Sequence, residues 1–596
     1  MCISFLTKVF YKGYYDRCSE RIIMKYFEAI RIHLEEFKRD IENYSRELLY
    51  KELPALSDEN FLLYEQTGNR LIYEKLYFER RKFLNVFFFV TLWHKEKIYI
   101  KKLEEIIYTI CKEDTWALPA HVDISKDDRK YTIDLFAAET AQALSCIYHY
   151  LGKILSEECT DIIKENVWNR IIKPYVESEY GYHRWENLDN NWISVCASSI
   201  GSAVLYLPDD KGIRDKILDR VKLCLDKYIG GFSEDGVCLE GMSYFTYGME
   251  YFFGFARQLY EYTDGEKNLY TDKRLENIVL FQQNCFLPGG NTISFSDGST
   301  NDRFRLGLSC FLKSKFKSFE IPPIDFAMKF DTDSCYRFMA NLQDDLWVSE
   351  FLEDKKNEEH IKKDEYKFIL YKEAQWAVWN SGDTGLALKG GNNNEPHNHN
   401  DIGSFILSYA GEIFLTDLGC GEYTKDYFKD DTRYKIFNNR SISHNVPLIN
   451  GEEQKAGDKY KCSSFESPKV GQVKMSYAKA YGFENIKLYR NVECYSHDKY
   501  IVIEDILESR SEKYSLTENL VTNIKPEIKD NRILLHGKRA SLCIDVENKR
   551  NININEVCFS NHNGVEERVW QIQFDCETKD DNCRIELKLS FHKKIK

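Results

Sequence analysis

The chain has 596 residues, a formal net charge of −13, and 43% hydrophobic and 14% aromatic residues. That excludes a disordered polymer and allows two or more domains with ample cores. The acidic balance argues against general nucleic-acid binding, which leans on basic surface, but leaves room for a local basic cleft that takes a polyanionic substrate. The eighteen cysteines form no CxxC pair, as in a protein with reduced thiols. The N-terminal MCISFLTKVFYKGYYDR has too short an apolar run for a signal peptide, and the longest apolar run, Val86 to Trp93, cannot span a bilayer. A cytoplasmic protein is therefore expected, with neither nucleic acid nor membrane as partner and homo-oligomerisation left open.

Residues 1–110 carry apolar positions at helical spacing, as in IIMKYFEAIRIHLEEFKRDIENY, and read as helical scaffold. After a loop with Trp116 and His121, the pattern predicts helices over about Ile133–Leu151 and Thr160–Tyr180. Asn190, Asn191 and Trp192 lead into a further apolar helix, and others are expected over Gly212–Ile229, Ser243–Tyr262 and Asp272–Asn284. Antiparallel helix pairs of this kind suggest an α/α toroid or incomplete barrel over 1–355. Unusual polar and aromatic residues sit in its connecting loops, where binding groups usually lie. The charge-dense run 352–365 reads as a solvated linker or last helix.

Beyond it the period switches to two. Segments such as YKFILYKEAQWAVWN, SFILSYAG and RIELKLSFH predict a large antiparallel β-sandwich over 366–596. Near its start lies EPHNHNDIGSFILSYAGEIFLTDLG, with SHNVPLING downstream. Ser404–Ala410 and Ile413–Asp417 read as two strands around Gly411. That hairpin would return Asp417 to a position beside His399 and Asp401. Two histidines and a carboxylate from among His397, His399, His444 and Asp417 would suit zinc or a similar ion. HNHND could equally be an Asn/Asp-rich turn.

PHNHNDIGSF, FLTDLGCGEY and SHNVPLING, with WALPAH, IDLFAAETA, NNWISVC and DGVCLEGMSYFTYG upstream, resemble the heparinase II/III-like superfamily of polysaccharide lyases. The resemblance implies β-elimination on glycans containing uronic acid, with glycosaminoglycans such as heparan sulfate, hyaluronan or chondroitin foremost. It implies Tyr244 as base, acid or both, with Tyr247 as fallback. Asn191 or Asn190 would neutralise the uronate carboxylate. His397 would share that task or act as base, and Tyr434 or Tyr423 would be a second tyrosine. His399, Asp417 and His444 would hold a structural divalent metal, zinc foremost. A HxH pair on an extended segment would put both side chains on one side. Glu240, Arg184, Arg303 and Arg440 are candidate substrate contacts.

Each residue also has a plain alternative. The asparagines could cap a helix, Tyr244 could pack an aromatic helix start, and the arginines could be surface ion pairs. Two other functions compete. A glycoside hydrolase on a toroid would need paired carboxylates, for which Asp235 with Glu240, or Asp297 with Asp302, are the loop candidates. A non-catalytic sugar-binding protein would keep the fold alone.

Overall fold

The structure, a computed structural model, describes residues 3–123, 129–208, 211–354, 366–495, 500–509, 513–546, 549–576 and 582–594. The charged run expected to be a linker lies, from 355 to 365, outside the described residues. The chain forms two compact units that are not contiguous in sequence. One comprises Met1–Gly231, Thr246–Asp272 and Arg303–Lys363, and the other Phe232–Phe245, Lys273–Asp302 and Asp364–Lys596.

The first unit is helical, as the 3.6-residue periodicity predicts. Asp134 caps Leu135–Leu151 by accepting the Ala137 amide at 2.7 Å. Ala137, Ala138, Ala141 and Ala143 are all buried on that helix, and it packs against Asn191–Tyr206. Small residues permit this approach. The second helix also approaches Met242–Tyr262 closely, where a Cβ added at Gly201 would stand 2.5 Å from the Phe255 ring. The helix expected over Thr160–Tyr180 is broken into Glu157–Val167, a π turn at Trp168–Ile172, and Lys173–Glu177. Pro174 explains the break, because it has no amide to give the preceding turn and its ring crowds that turn's carbonyl. The helix expected over Asp272–Asn284 is likewise two short turns, Leu275–Ile278 and Leu280–Asn284.

The second unit is built on antiparallel sheets. Five strands follow in chain order as a meander: Tyr366–Tyr371, Trp376–Ser381, Thr384–Lys389, Phe405–Tyr409 and Glu412–Leu415. Sheets of eight and four strands complete the sandwich. Tyr500–Ser509 alternates strictly between half-buried and buried residues, the mark of a strand with one face on the core. That core is continuous, with Leu388, Phe405, Leu407 and Phe414 clustering with Leu488, Ile503, Leu542 and Leu587.

One buried network ties the sheets to the loops of the site. Arg490 pairs with Asp505 at 2.6 Å and Glu518 at 3.0 Å, and donates to the carbonyls of Gly403 and Asn445. Asn445, beside His444, donates to the Phe405 and Thr416 carbonyls and accepts the Val521 amide at 2.7 Å. Side chains that satisfy so many buried backbone groups leave the loop little freedom.

Candidate active site and metal-binding group

The hairpin read from the sequence forms, with Tyr409 opposite Glu412 and Ser408 opposite Ile413. Ala410 and Gly411 at its tip have φ of 53° and 78°, the doubly left-handed turn that matches the twist of paired strands. Asp417 follows two residues after the returning strand, and His444 follows a short turn at Ser441–Ser443.

Ligand-type atoms of His399, Asp417 and His444 lie within 4.8 Å of one another, and all three residues are buried. His444 Nε2 donates to the Asn438 carbonyl at 2.9 Å, while its Nδ1 lies 2.9 Å from Asp417 Oδ2. Because a carbonyl can only accept, the remaining nitrogen faces the carboxylate either with a second proton or across a shared cation. His399 Nε2 donates to Asp297 Oδ1 at 3.1 Å. Its Nδ1 is buried with no hydrogen-bond partner among the described residues. A divalent cation satisfies all three inward atoms at once, whereas a proton on His444 alone leaves His399 Nδ1 unsatisfied. Burial also pushes the His399 imidazole below its ordinary pKa, outweighing the pull of Asp297, and the neutral form is the one that ligates. The group therefore fits a metal ion, with carbonyl and carboxylate partners orienting both histidines from behind.

Beside this group stands a second cluster, and Asp297 joins the two. The Asp297 side chain has no solvent exposure. Its Oδ2 accepts His397 Nδ1 at 2.5 Å and the Tyr423 hydroxyl at 2.9 Å. Its Oδ1 accepts His399 and, at 2.5 Å, the Tyr427 hydroxyl, with Arg433 at 3.7 Å. Burial alone would raise this carboxyl, but the hydrogen bonds of both histidines and the charge of His397 and Arg433 hold it well below the ordinary range. His397 completes the arrangement with an ion pair to Glu240 at 3.2 Å. Burial would lower the His397 imidazole, yet Asp297 and Glu240 outweigh it and raise its pKa to about 9. It is an imidazolium at neutral pH, and its side chain keeps 19% exposure.

The Tyr244 hydroxyl lies 2.5 Å from that of Tyr423, and its ring is 4.5 Å from the His397 ring. Since Tyr423 gives its only proton to Asp297, Tyr244 donates to Tyr423. Burial and the Asp297 charge push both phenols well above their ordinary range. Phe428, 50% exposed, sets its ring edge-on to Tyr423 and His397 at the rim.

The segments that hold Glu240, Tyr244 and Asp297 thus pack within the β-rich unit, although they lie in the helical part of the sequence. His397 is not on an extended segment, as the HxH spacing suggested. It follows Pro396 in a turn with φ of 57°, and from that turn both histidines still reach one carboxylate. A non-glycine residue in this region is strained by ~1–2 kcal/mol, and such strain often collects at functional sites.

Of the two further tyrosines weighed, Tyr423 touches Tyr244, whereas the Tyr434 hydroxyl donates to Asn398 Oδ1 at 2.8 Å. In the helical unit Asn190 is a helix cap, its side chain accepting the Trp192 amide. Asn191 is buried, and its Oδ1 has no hydrogen-bond partner among the described residues. The Tyr247 hydroxyl donates to Glu139. Arg184 is exposed, Arg303 lies over Phe326, and Arg440 is ion-paired with Glu453. Glu240 faces a cationic histidine, which fits it to orient His397 and not to hold an acidic sugar group. The carboxylates a hydrolase would need are engaged elsewhere. Asp235 accepts the Glu373 and Ala374 amides, and Asp297 is the hub just described.

Sequence reasoning weighed Asp297 only as a hydrolase carboxylate and missed Tyr427 and Arg433. Their one signal was crowding: Tyr423, Tyr427 and Arg433 all fall between the second and third predicted metal ligands.

Residues 364–588 match the family Heparinase II/III-like, C-terminal. No curated protein sequence matches the chain. Among solved structures it is similar to a mutant of heparan sulfate lyase HepC from Pedobacter heparinus, with 15% identity, a TM-score of 0.61, and coverage of 100% of this chain and 91% of that one. A heparinase III matches with 14% identity, a TM-score of 0.61, and coverage of 87% and 76%. A further heparinase III matches with 12% identity, a TM-score of 0.58, and coverage of 92% and 85%. At these identities the likeness is one of fold.

Proposed function

We propose that the protein is a polysaccharide lyase that cleaves glycans containing uronic acid by β-elimination, with a glycosaminoglycan as substrate class. The observation that carries this reading is the cluster of Tyr244, Tyr423 and His397 on buried Asp297, at the edge of the His399/Asp417/His444 group. Elimination breaks the C5–H and C4–O4 bonds and forms the C4=C5 double bond. It needs donors on the uronate carboxylate, a base at C5 and an acid at O4. His397 supplies positive charge beside that carboxylate, and its Nε2–H can donate to it by leaving Glu240. It is charged at neutral pH, partly accessible, and held by carboxylates on two sides. Tyr244 serves the C5 proton and the leaving oxygen. Taking the C5 proton requires Tyr244 as the phenolate, and the proton it gains is the one it then gives to the leaving O4, so the transfer closes on that one oxygen.

His399, Asp417 and His444 hold a divalent ion, with zinc the best match to two imidazoles and a carboxylate. When bound, the ion fixes the loop that presents His397 and adds positive charge near an anionic substrate. Glycans such as heparan sulfate, hyaluronan or chondroitin are the expected partners. Among the described residues no helix is long and apolar enough to cross a membrane. Turnover in heavy-oxygen water tests the reaction type, since elimination leaves the label out of the products and hydrolysis incorporates it.

A further inference from the structure

The neighbouring clusters share one carboxylate. Asp297 Oδ1 accepts His399, whose other nitrogen points to the metal group, and Asp297 Oδ2 accepts His397, which faces the proposed catalytic tyrosines. His397 and His399 are two residues apart in the chain, whereas Asp297 is about a hundred residues away and comes from a separate segment of the same unit. Two tyrosine hydroxyls and an arginine fill the remaining directions around its oxygens. We propose that Asp297 is a positioning residue that couples metal binding at His399 to the placement of His397, so that each histidine senses the state of the other through the shared carboxylate.

The coupling follows from counting acceptors. A carboxylate oxygen that receives several hydrogen bonds divides its negative charge among them. Whatever strengthens the bond to one histidine weakens the bond to the other. A ligand histidine backed by a carboxylate is the more basic ligand, so the metal draws on the same oxygen pair that aims His397. Glu240, on the far ring nitrogen of His397, steadies the imidazole but touches no metal ligand in the described contacts. It cannot carry the coupling.

This inference rests on the lyase reading for the role of His397, but its metal arm can be measured without any substrate. Zn²⁺ affinity is determined on the full chain by competition with a chromophoric chelator for wild type, Asp297→Asn and His397→Gln. Circular dichroism and thermal unfolding check the fold of each. An asparagine has a single oxygen acceptor, so it cannot serve both histidines. Asp297→Asn is expected to bind Zn²⁺ about ten- to a hundredfold more weakly, with kcat reduced far more than KM is changed. His397→Gln replaces the cationic donor by a neutral, weaker one without touching a ligand, so it draws less on the Asp297 charge and is expected to bind Zn²⁺ at least about threefold more tightly. Zn²⁺ affinity equal to wild type in either folded variant overturns the proposal, as does a wild-type chain that binds no Zn²⁺. If Asp297→Asn does not fold, the His397→Gln measurement decides. A wild type that binds Zn²⁺ as expected yet makes no unsaturated product would defeat the lyase reading and leave the coupling standing.

Discussion

Replacing Tyr244 by Phe removes one oxygen from the proposed centre and leaves the ring against His397. Positioned acid–base groups contribute about 10²–10⁴-fold, so kcat should fall by that factor, or ~2.7–5.4 kcal/mol in barrier. Tyr423→Phe acts one step back. It deletes a bond of 2.5 Å to Tyr244 and a charge-assisted one of 2.9 Å to Asp297. Asp297 keeps its His397 bond, so the loss should be smaller, about 10–100-fold in kcat. If the two hydroxyls form one proton path, the double variant should be no worse than Tyr244→Phe alone, because the second deletion acts through a group already gone. The assay is initial-rate kinetics on a fragment of fixed length, with thermal unfolding as a fold control. Full activity in Tyr244→Phe refutes the assignment of Tyr244. Multiplicative losses in the double variant refute the shared path.

Three further outcomes are expected. His399→Ala should lose its divalent metal in elemental analysis while retaining helical content, and retention of stoichiometric metal would remove His399 from the ligand set. Asp302→Asn tests burial at the end of the loop that carries Asp297. Burial raises the Asp302 carboxyl from 3.8 to about 7, so the folded state holds a proton that the unfolded chain releases, and stability falls as pH rises from about 4 to 7. The variant should match wild type near pH 4 and gain ~1–3 kcal/mol by pH 8 in urea unfolding; a loss at pH 8 would reverse that sign. Arg490→Met strands the buried Asp505 and Glu518 and should cost ~3–5 kcal/mol, read as a lower urea midpoint. A cost below ~1 kcal/mol would mean the network relaxes without it.

The hairpin of the site was legible because alternation, a tight turn and a strand of fixed length leave little choice of register. Knowing the hairpin, one can bring Asp417 toward His399 on paper, and the structure places them with His444 in one buried group. Asp297 was not legible in the same way. FSDGSTND reads as an ordinary polar turn, and its meeting with His397 about a hundred residues later depends on a tertiary contact that no local pattern encodes. The same limit applied to the helices. Their apolar period showed where they lie, but not that Pro174 would force a π turn, nor that Phe232–Phe245 and Lys273–Asp302 would pack with the β-rich unit. The sequence favoured Asn191 over Asn190 without showing which points inward; the cap geometry gives Asn190 a backbone role and leaves buried Asn191 with an Oδ1 that has no hydrogen-bond partner among the described residues.

The central claim is elimination at a uronate, and its most direct test is spectroscopic. Wild-type protein is incubated with heparan sulfate, chondroitin, hyaluronan, alginate and their oligosaccharides, and ultraviolet absorbance of a 4,5-unsaturated uronate is followed together with new reducing ends. The account predicts that, on at least one of these substrates, absorbance rises in step with reducing ends and the rise is lost in Tyr244→Phe. New reducing ends without that absorbance would contradict it.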